Sequence, residues 1–280
     1  MKNFFLPIIL FFLAFMISSC DPSTDENGDL LIGLNETPTT GGSGETPRVL
    51  KKMFTHSKND ETGEWEDETT IFNYTNNKLT SVTDDSGTDM QIEYNSSNKI
   101  SKVFSGAELT SNFEYSGTNV SKITTNIEGM TKMVAKFTYN GTKIVKSEID
   151  TELLFMPIPT KIYTEDVYEY QGENVSKITT KMGAYDPITG VLEMAPVPAI
   201  STYQYDAKNS PYPLLPKEFW MFFSSIAPQT GSFYSKNNPV KVIVVDETGT
   251  DTQTVTYEYD NKNYVTKGTS GEAYGTFEYQ

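Results

Sequence analysis

The sequence predicts an all-β protein: a long antiparallel meander of about 16 strands in a curved or barrel-like sheet, with one short helix inserted. Three observations support this fold class. Apolar-x-Tyr segments recur about every 20 residues, apolar and polar residues alternate within them, and Gly, Asn and Asp separate them. Such regular repetition of strand, turn and strand indicates a single repeat domain, which we assign to residues 48–280.

Residues 1–20 have the features of a bacterial lipoprotein signal peptide. Lys2 precedes an apolar run from Phe4 to Ile17, about 14 residues, whereas a membrane-spanning helix needs roughly 20. The segment ISSC that ends this region resembles a lipobox, and Cys20 is the only cysteine of the chain. We expect cleavage before Cys20 and attachment to membrane lipid through its acylated thiol. The alternative is an ordinary secretory signal peptide with a chance cysteine.

Residues 21–47 predict a flexible acidic tether. The segment holds six acidic residues and no basic one, with Gly, Pro, Ser and Thr throughout, so it cannot bury enough apolar surface to order itself. A chain of this length has a root-mean-square reach on the order of 30 Å. Asp25 and Glu26 weakly resemble a surface-export signal, although solubility also explains these charges.

Tyrosines mark the repeated units of residues 48–280. The anchors are Tyr74, Tyr94, Tyr115, Tyr139, Tyr170, Tyr205, Tyr259 and Tyr279. Because side chains alternate along a strand, Phe113 and Tyr115 share one face, which we expect to be the core, and Glu114 lies on the other. After the turns, apolar residues recur three apart, as in Val120 and Ile123. A β-bulge would place both in the core; otherwise both faces are partly covered.

An acidic, glycine-bearing phrase recurs at the opposite end of the units. It reads DDSG at residues 84–87 and DETG at 246–249, with related copies in NDETGEW from Asn59 and in DPITG at 186–190. Asp at the first position binds backbone amides and Gly adopts a left-handed conformation, so these segments predict turns. A calcium loop would require several oxygens converging on one point. We therefore expect turns, and neither a metal nor a cofactor.

Proline-bearing insertions interrupt the second half of the domain. Residues 151–161 and 191–200 are apolar, and residues 206–232 form the longest insertion. Pro216 suits the start of a helix over 217–226, whose side chains are apolar almost all round, so we expect it to be buried against the sheet. The alternative is an aromatic ligand pocket or a lipid-touching surface. Its candidate binding residues are Tyr212, Phe219, Trp220, Phe222 and Phe223.

Composition excludes several function classes. The formal charge of −15 repels phosphate backbones, so we expect no nucleic-acid partner. His56 is the only histidine, which argues against catalytic triads and histidine metal sites, and we predict no catalytic residues. The sequence allows a carboxylate hydrolase using Glu165 with Asp166, or Glu61 with Glu64, only as a remote alternative.

Two resemblances accompany these features. The segment YEYDNKNYVTK from Tyr257 resembles the YD repeats of RHS-type proteins, although the usual Gly-Arg after the turn is replaced here by Asn-Lys or Thr-Asn. The whole pattern over 48–280 resembles an uncharacterised family of Bacteroides-type lipoproteins described as having a porin-like fold. The shared features are the lipobox, the acidic linker, the Tyr-turn-Lys hairpins, NSPYPLLP before the helix and SKNNPVKV after it. This resemblance implies a fold and carries no catalytic residues.

The sequence thus predicts a protein held on the outer membrane through lipid, on the periplasmic or the surface-exposed side. We expect it to be no enzyme, with a binding or scaffolding role whose partner is a glycan, an envelope protein or a host molecule. A membrane-embedded porin-like barrel is the alternative. In that barrel the charged face opposite the tyrosines, which includes Glu93, Glu114 and Lys136, would line a lumen.

Overall fold

Eighteen strands follow one another around a nearly closed barrel in the part of the chain that the computed structural model describes, residues 48–59, 62–85, 87–156, 158, 160–226 and 231–280. The predictions for Cys20 and for residues 21–47 lie outside these residues. The strands are β1 (Leu50–Lys58), β2 (Trp65–Thr75), β3 (Lys78–Asp84), β4 (Asp89–Tyr94), β5 (Ile100–Ser105), β6 (Leu109–Ser116), β7 (Asn119–Ile127), β8 (Thr131–Asn140), β9 (Lys143–Leu153), β10 (Thr160–Gln171), β11 (Asn174–Tyr185), β12 (Leu192–Met194), β13 (Ala199–Tyr205), β14 (Pro239–Asp246), β15 (Gly249–Thr254), β16 (Thr256–Tyr259), β17 (Val265–Ser270) and β18 (Ala273–Tyr279). Among the described residues, one α-helix, α1 (Lys217–Ile226), and two short 3-10 helices, Tyr212–Leu214 and Gly231–Tyr234, lie between β13 and β14.

The predicted all-β antiparallel meander is confirmed. The strands follow the order of the sequence around the sheet, with β12 and β13 both paired to β11. Strand β1 pairs with both β2 and β18, which brings the two ends of the sheet together. Val49 and Gln280 each donate a backbone hydrogen bond of 3.0 Å to the other. Two more strands appear than the 16 expected. One is β12, of only three residues, and the other arises because Val255 separates β15 from β16 along one continuous stretch.

The register shifts at seven anchoring tyrosines, in six hairpins and in the β13–β14 pair, and each shift marks a β-bulge in the partner strand. In the hairpin of β6 and β7, Glu114 pairs with Lys122 while Tyr115 pairs with Val120, so Ser121 is the extra residue. The bulge turns both Val120 and Ile123 into the core, at 3% and 1% exposure. This resolves the three-residue spacing in favour of the bulge. The Ser121 hydroxyl donates to the Glu114 carbonyl at 3.2 Å.

Six of the eight anchoring tyrosines join their strand to the preceding hairpin or strand; of the other two, Tyr205 accepts a hydrogen bond from Ser235 and Tyr259 donates to Asp206. The six hydroxyls donate to backbone carbonyls as follows: Tyr74 to Leu50, Tyr94 to Leu79, Tyr115 to Ile100, Tyr139 to Val120, Tyr170 to Ile144 and Tyr279 to Val265. Each acceptor lies at a register shift of its own strand, where a bulge disturbs the regular ladder. The phenol thus supplies a partner to a carbonyl that the bulge displaces. We call these six bonds the tyrosine ladder.

The barrel has two distinct ends. At the tyrosine end, Lys99 donates to the Gly117 carbonyl at 2.9 Å and Lys143 to the Gly172 carbonyl at 2.5 Å, so the turns of successive hairpins are linked. At the far end lie the acidic turns. Asp84 accepts a backbone hydrogen bond from Thr88 at 2.8 Å. Gly87, three residues after Asp84, has a φ of 92°. The prediction that the acidic phrase forms turns is confirmed.

Helix α1 spans the predicted residues and packs inside the tyrosine end. Phe219 contacts Phe72 edge-to-face, with ring centroids 6.5 Å apart. Lys217 donates to the Thr142 carbonyl at 2.5 Å and lies 5.0 Å from the ring centroid of Tyr139. The helix is buried, as its all-round apolar surface requires. Within the described ranges, no helix has the length and apolar character needed to cross a membrane.

Candidate binding surface

The five predicted binding residues gather in one aromatic cluster behind the tyrosine end. The Trp220 indole N–H donates to the Tyr212 carbonyl at 2.6 Å, and its ring stacks on Phe233 with centroids 4.4 Å apart. Phe219, Trp220, Phe222 and Phe223 are 0–4% exposed, and burial raises the pKa of the Tyr212 hydroxyl. The structure therefore places them in the core. Contact between these rings and a ligand stays a prediction.

The carboxylates considered for a hydrolase do not converge. Glu165 and Asp166 are adjacent on β10 and point to opposite faces of the sheet. Glu165 contacts Lys146 and Lys181 on the outside, whereas Asp166 is buried and accepts a 2.6 Å hydrogen bond from the Thr180 hydroxyl. The other proposed pair includes residue 61, which lies outside the described residues. Within those residues no group of three His, Cys, Asp or Glu side chains could hold a metal ion.

His56 lies on the outer face of the barrel. Its Nδ1 is 2.6 Å from the Asp67 carboxylate, and its ring stacks on Trp65 with centroids 4.7 Å apart. Tyr274 contacts its other side at 5.1 Å. These contacts join β1, β2 and β18 where the barrel closes. They give His56, the only histidine of the sequence, a structural role in a cross-strand cluster.

An exposed apolar surface lies along one half of the far end. Of the 13 large apolar side chains that are exposed in the described part of the chain, ten lie here. They are Met130, Leu154, Phe155, Met156, Ile158, Met182, Ile188, Val191, Met194 and Val197, and we call them the apolar rim. Exposed apolar patches of this kind mark interaction surfaces in soluble domains.

Strand register, rather than sequence proximity, assembles the apolar rim. Its residues come from the β7–β8 turn, the β9–β10 turn, the far end of β11 and the segment between β11 and β13. Leu154 donates a backbone hydrogen bond to Met130 at 2.7 Å, and Ala195 donates one to Met182 at 2.8 Å. The sequence had drawn attention to residues 151–161 and 191–200 as apolar insertions. Three rim residues lie outside these insertions: Met130 and Ile188 are single apolar residues within short polar turns, and Met182 is one residue of strand β11.

The apolar rim lies opposite the point where residues 48–49 enter the barrel. Val49 pairs with Gln280 at the tyrosine end, whereas the rim follows the other ends of β7 to β11. Strand β9, with 11 residues, spans about 36 Å at roughly 3.3 Å per residue. The other far-end turns are acidic, with Asp84, Asp85 and Asp246. The barrel therefore presents an apolar half and an acidic half at the end away from Val49.

A groove of about 740 Å³ lies on the outer face beside the apolar rim. Lys132, Glu152, Lys161 and Tyr185 stand in register across β8, β9, β10 and β11 and line it. Asp150 lies in the next row of residues along β9, and its Oδ1 accepts a hydrogen bond of 2.9 Å from the Tyr185 hydroxyl. This hydrogen bond raises the pKa of Tyr185. The spacing of these residues along the chain forms no motif, so the sequence does not reveal the groove.

Comparison with known proteins assigns no family. No protein-family model matches the sequence, and no curated protein matches it. Among solved structures, similarity is found to a mutant form of the Photorhabdus luminescens Tc holotoxin pore, with 11% identity, 79% of this chain covered and a TM-score of 0.32. The TcdB2-TccC3-Cdc42 structure matches with 12% identity, 76% coverage and a TM-score of 0.27. This chain spans only 13% and 11% of the respective chains, so the fold assignment rests on its own strand pairing.

Proposed function

We propose that this protein is a lipid-anchored cell-envelope protein of the Bacteroides-type lipoprotein kind that its motifs resemble. Its role is to bind or scaffold an envelope protein at the outer membrane, without catalysis. The observation that carries the proposal is the apolar rim, which holds ten of the 13 exposed large apolar side chains of the described residues. Such a concentration suits a protein partner, since burying these groups removes apolar area from water.

The position of the apolar rim supports a partner away from the anchor. On this proposal Cys20 carries the lipid, and residues 21–47 connect it to Val49 at the tyrosine end. The rim lies at the opposite end, about 36 Å along the strands. It can therefore contact another envelope protein while the tyrosine end faces the anchoring membrane.

The outer wall of the barrel supports a water-facing position over the membrane-embedded alternative. Lys136, Glu148, Glu165 and Lys181 form one cross-strand row on the outside of β8 to β11. A barrel that spans a bilayer needs an apolar outer band, and charged side chains there cost about 2–4 kcal/mol near the bilayer centre. The charged wall suits contact with water, and the apolar groups of this wall gather at one rim.

Photo-crosslinking in intact cells tests the proposal. A photoreactive amino acid replaces Ile188, which is 92% exposed, in the full chain. We expect one discrete crosslinked product, which weakens when Phe155→Ser and Ile158→Ser remove rim contacts. The matched control places the same photoreactive group at Glu272, in a far-end turn outside the rim. Equal products from both positions, or no discrete product from Ile188, would contradict docking at the rim.

Membrane fractionation tests the anchor separately. We expect the unaltered chain in the outer-membrane fraction and the Cys20→Ala variant outside it, because the variant has no thiol to acylate. A Cys20→Ala variant that stays in the outer-membrane fraction would refute lipid anchoring through this residue, whatever the crosslinking shows.

A further inference from the structure

The outer groove presents an aromatic ring that is held across the sheet. Tyr185 on β11 reaches Asp150 on β9, so its side chain passes over β10. Strands two positions apart are separated by about 9.6 Å, roughly twice the spacing of neighbours. To cover that distance, the side chain must lie along the sheet instead of standing upright. One face of the ring is thereby directed toward the groove, and the hydrogen bond to Asp150 fixes its position.

Charges of both signs surround this ring. Lys132 and Lys161 contribute two positive charges to the groove, and Asp150 and Glu152 two negative ones. Asp186 also lines it, but its Oδ1 already accepts hydrogen bonds from the Ile188 and Thr189 backbone N–H groups and from the Thr189 hydroxyl, at 2.6–3.0 Å. The carboxylates disfavour an anionic ligand and the lysines disfavour a cationic one.

A neutral polyhydroxylated ligand matches both features. Each sugar hydroxyl donates and accepts a hydrogen bond, so it can bridge an ammonium group and a carboxylate in neighbouring positions. The C–H face of a pyranose ring is apolar and can stack on an aromatic ring such as Tyr185. Pro187 and Val134 add apolar surface to the lining. The volume of about 740 Å³ lies in the range of ligand sites.

We infer that the outer groove binds a neutral oligosaccharide, with a sugar ring stacked on Tyr185 and hydroxyls bonded to Lys161 and Glu152. The inference rests on the proposed binding role but uses other residues than the protein-docking rim. Tyr185 acts as the stacking platform, and Asp150 acts as a positioning residue that holds the ring in place.

Binding of the full chain to an array of neutral and anionic oligosaccharides tests the inference. The array includes hexasaccharides of glucose, mannose and galactose, and calorimetry then follows the tightest neutral hexasaccharide. We expect a neutral oligosaccharide to bind, and Tyr185→Ala to weaken its binding about tenfold, the low end of the effect that loss of an aromatic platform has on stacked nucleobases. Tyr185→Phe keeps the ring and loses the bond to Asp150, so a smaller loss is expected.

Two controls decide between a binding role and a structural one. Tyr274→Ala removes another outer-face tyrosine, on β18, and should leave oligosaccharide binding unchanged. Phe155→Ser with Ile158→Ser alters the apolar rim and should also leave it unchanged, which separates this result from the docking test. The inference is overturned if only anionic oligosaccharides bind, if no neutral one binds, or if Tyr185→Ala binds as tightly as the unaltered chain while melting at the same temperature.

Discussion

The hydroxyl of Tyr94 donates a 2.9 Å hydrogen bond to the backbone carbonyl of Leu79, 15 residues earlier and in the preceding hairpin. Leu79 lies at the β-bulge of its own strand, so the bond gives a partner to a backbone carbonyl that the bulge has displaced from regular strand pairing. Burial, with the nearby Glu218 carboxylate, raises the pKa of Tyr94 to about 12. The phenol therefore remains a donor at all physiological pH values.

Tyr94→Phe should lower the free energy of unfolding by about 1 kcal/mol, because it leaves the Leu79 carbonyl without this donor. Urea denaturation followed by circular dichroism measures the change. Tyr163→Phe is the matched control, since that hydroxyl contacts Glu148 on the outer face. We expect the control to cost less. Equal losses would mean that the ladder bond contributes nothing beyond an ordinary surface hydrogen bond.

Deletion of Ser121 should cost less than deletion of Thr124 in the same strand. Without Ser121, Val120 and Ile123 lie two residues apart, so ordinary alternation keeps both on the core face and the pairing with β6 is preserved. Deletion of Thr124, in the regular part of β7, turns the buried Thr125 outward and leaves its hydrogen-bond partner Ser111 unsatisfied, so we expect a loss of about 2 kcal/mol or more. Urea midpoints of the two variants provide the test, and an equal or larger loss for the Ser121 deletion would show that the fold requires the bulge itself.

Phe222→Ala should destabilise the barrel by about 3–5 kcal/mol, because this fully buried ring on α1 leaves a cavity. Phe155→Ala is the control, since Phe155 is 58% exposed, and it should change stability by less than about 0.5 kcal/mol. Thermal melts of both variants distinguish a structural helix from one that only covers a ligand pocket. A small effect at Phe222 would favour the pocket.

Glu68 should make stability depend on pH. Burial, and then the charges of Asp84, Asp85 and Glu66, raises its pKa from 4.5 to about 7. The folded chain therefore binds more protons than the unfolded chain between these values, so stability falls as pH rises from about 4.5 to 7. After allowance for solvent screening, the loss is on the order of 2 kcal/mol.

Glu68→Gln should abolish this particular loss, because an amide has no charge to desolvate. The measurement compares urea unfolding of both chains at pH 5 and pH 7.5. We expect the variant to be the more stable of the two at pH 7.5 and the difference to shrink at pH 5. A constant difference at both pH values would exclude titration of Glu68 as the cause.

The sequence predicted the parts of the fold that depend on local pattern. Alternation placed Tyr115 and Phe113 on the core face, the acidic phrases marked turns, and Pro216 marked the start of α1. It did not reveal that Tyr115 donates to Ile100, because such a bond depends on how two hairpins pack. The three-residue spacing indicated a bulge or two covered faces, and only the pairing of strands decided between them.

The candidate sites were less predictable for the same reason. The composition of residues 151–161 and 191–200 indicated apolar, proline-bearing insertions, yet nothing in the sequence shows that they share one rim with Met130. Lys132, Glu152 and Lys161 meet in the groove only because their strands pair in this register. A shift of one residue in the pairing would turn such a side chain to the other face of the sheet. The aromatic residues of α1 could be predicted from the sequence, because a helix that is apolar almost all round must be buried.

Each bond of the tyrosine ladder connects a hairpin only to its predecessor, and this has a consequence for how such barrels diversify. Where successive units obey the same local rule, as those from Tyr74 to Tyr139 do, a duplicated hairpin of about 20 residues can be inserted without redesign of distant contacts. The number of hairpins then sets the circumference of the barrel, and gene duplication can produce related barrels with more or fewer strands. Each added unit also carries a new pair of end loops, on which selection can act while the wall is conserved.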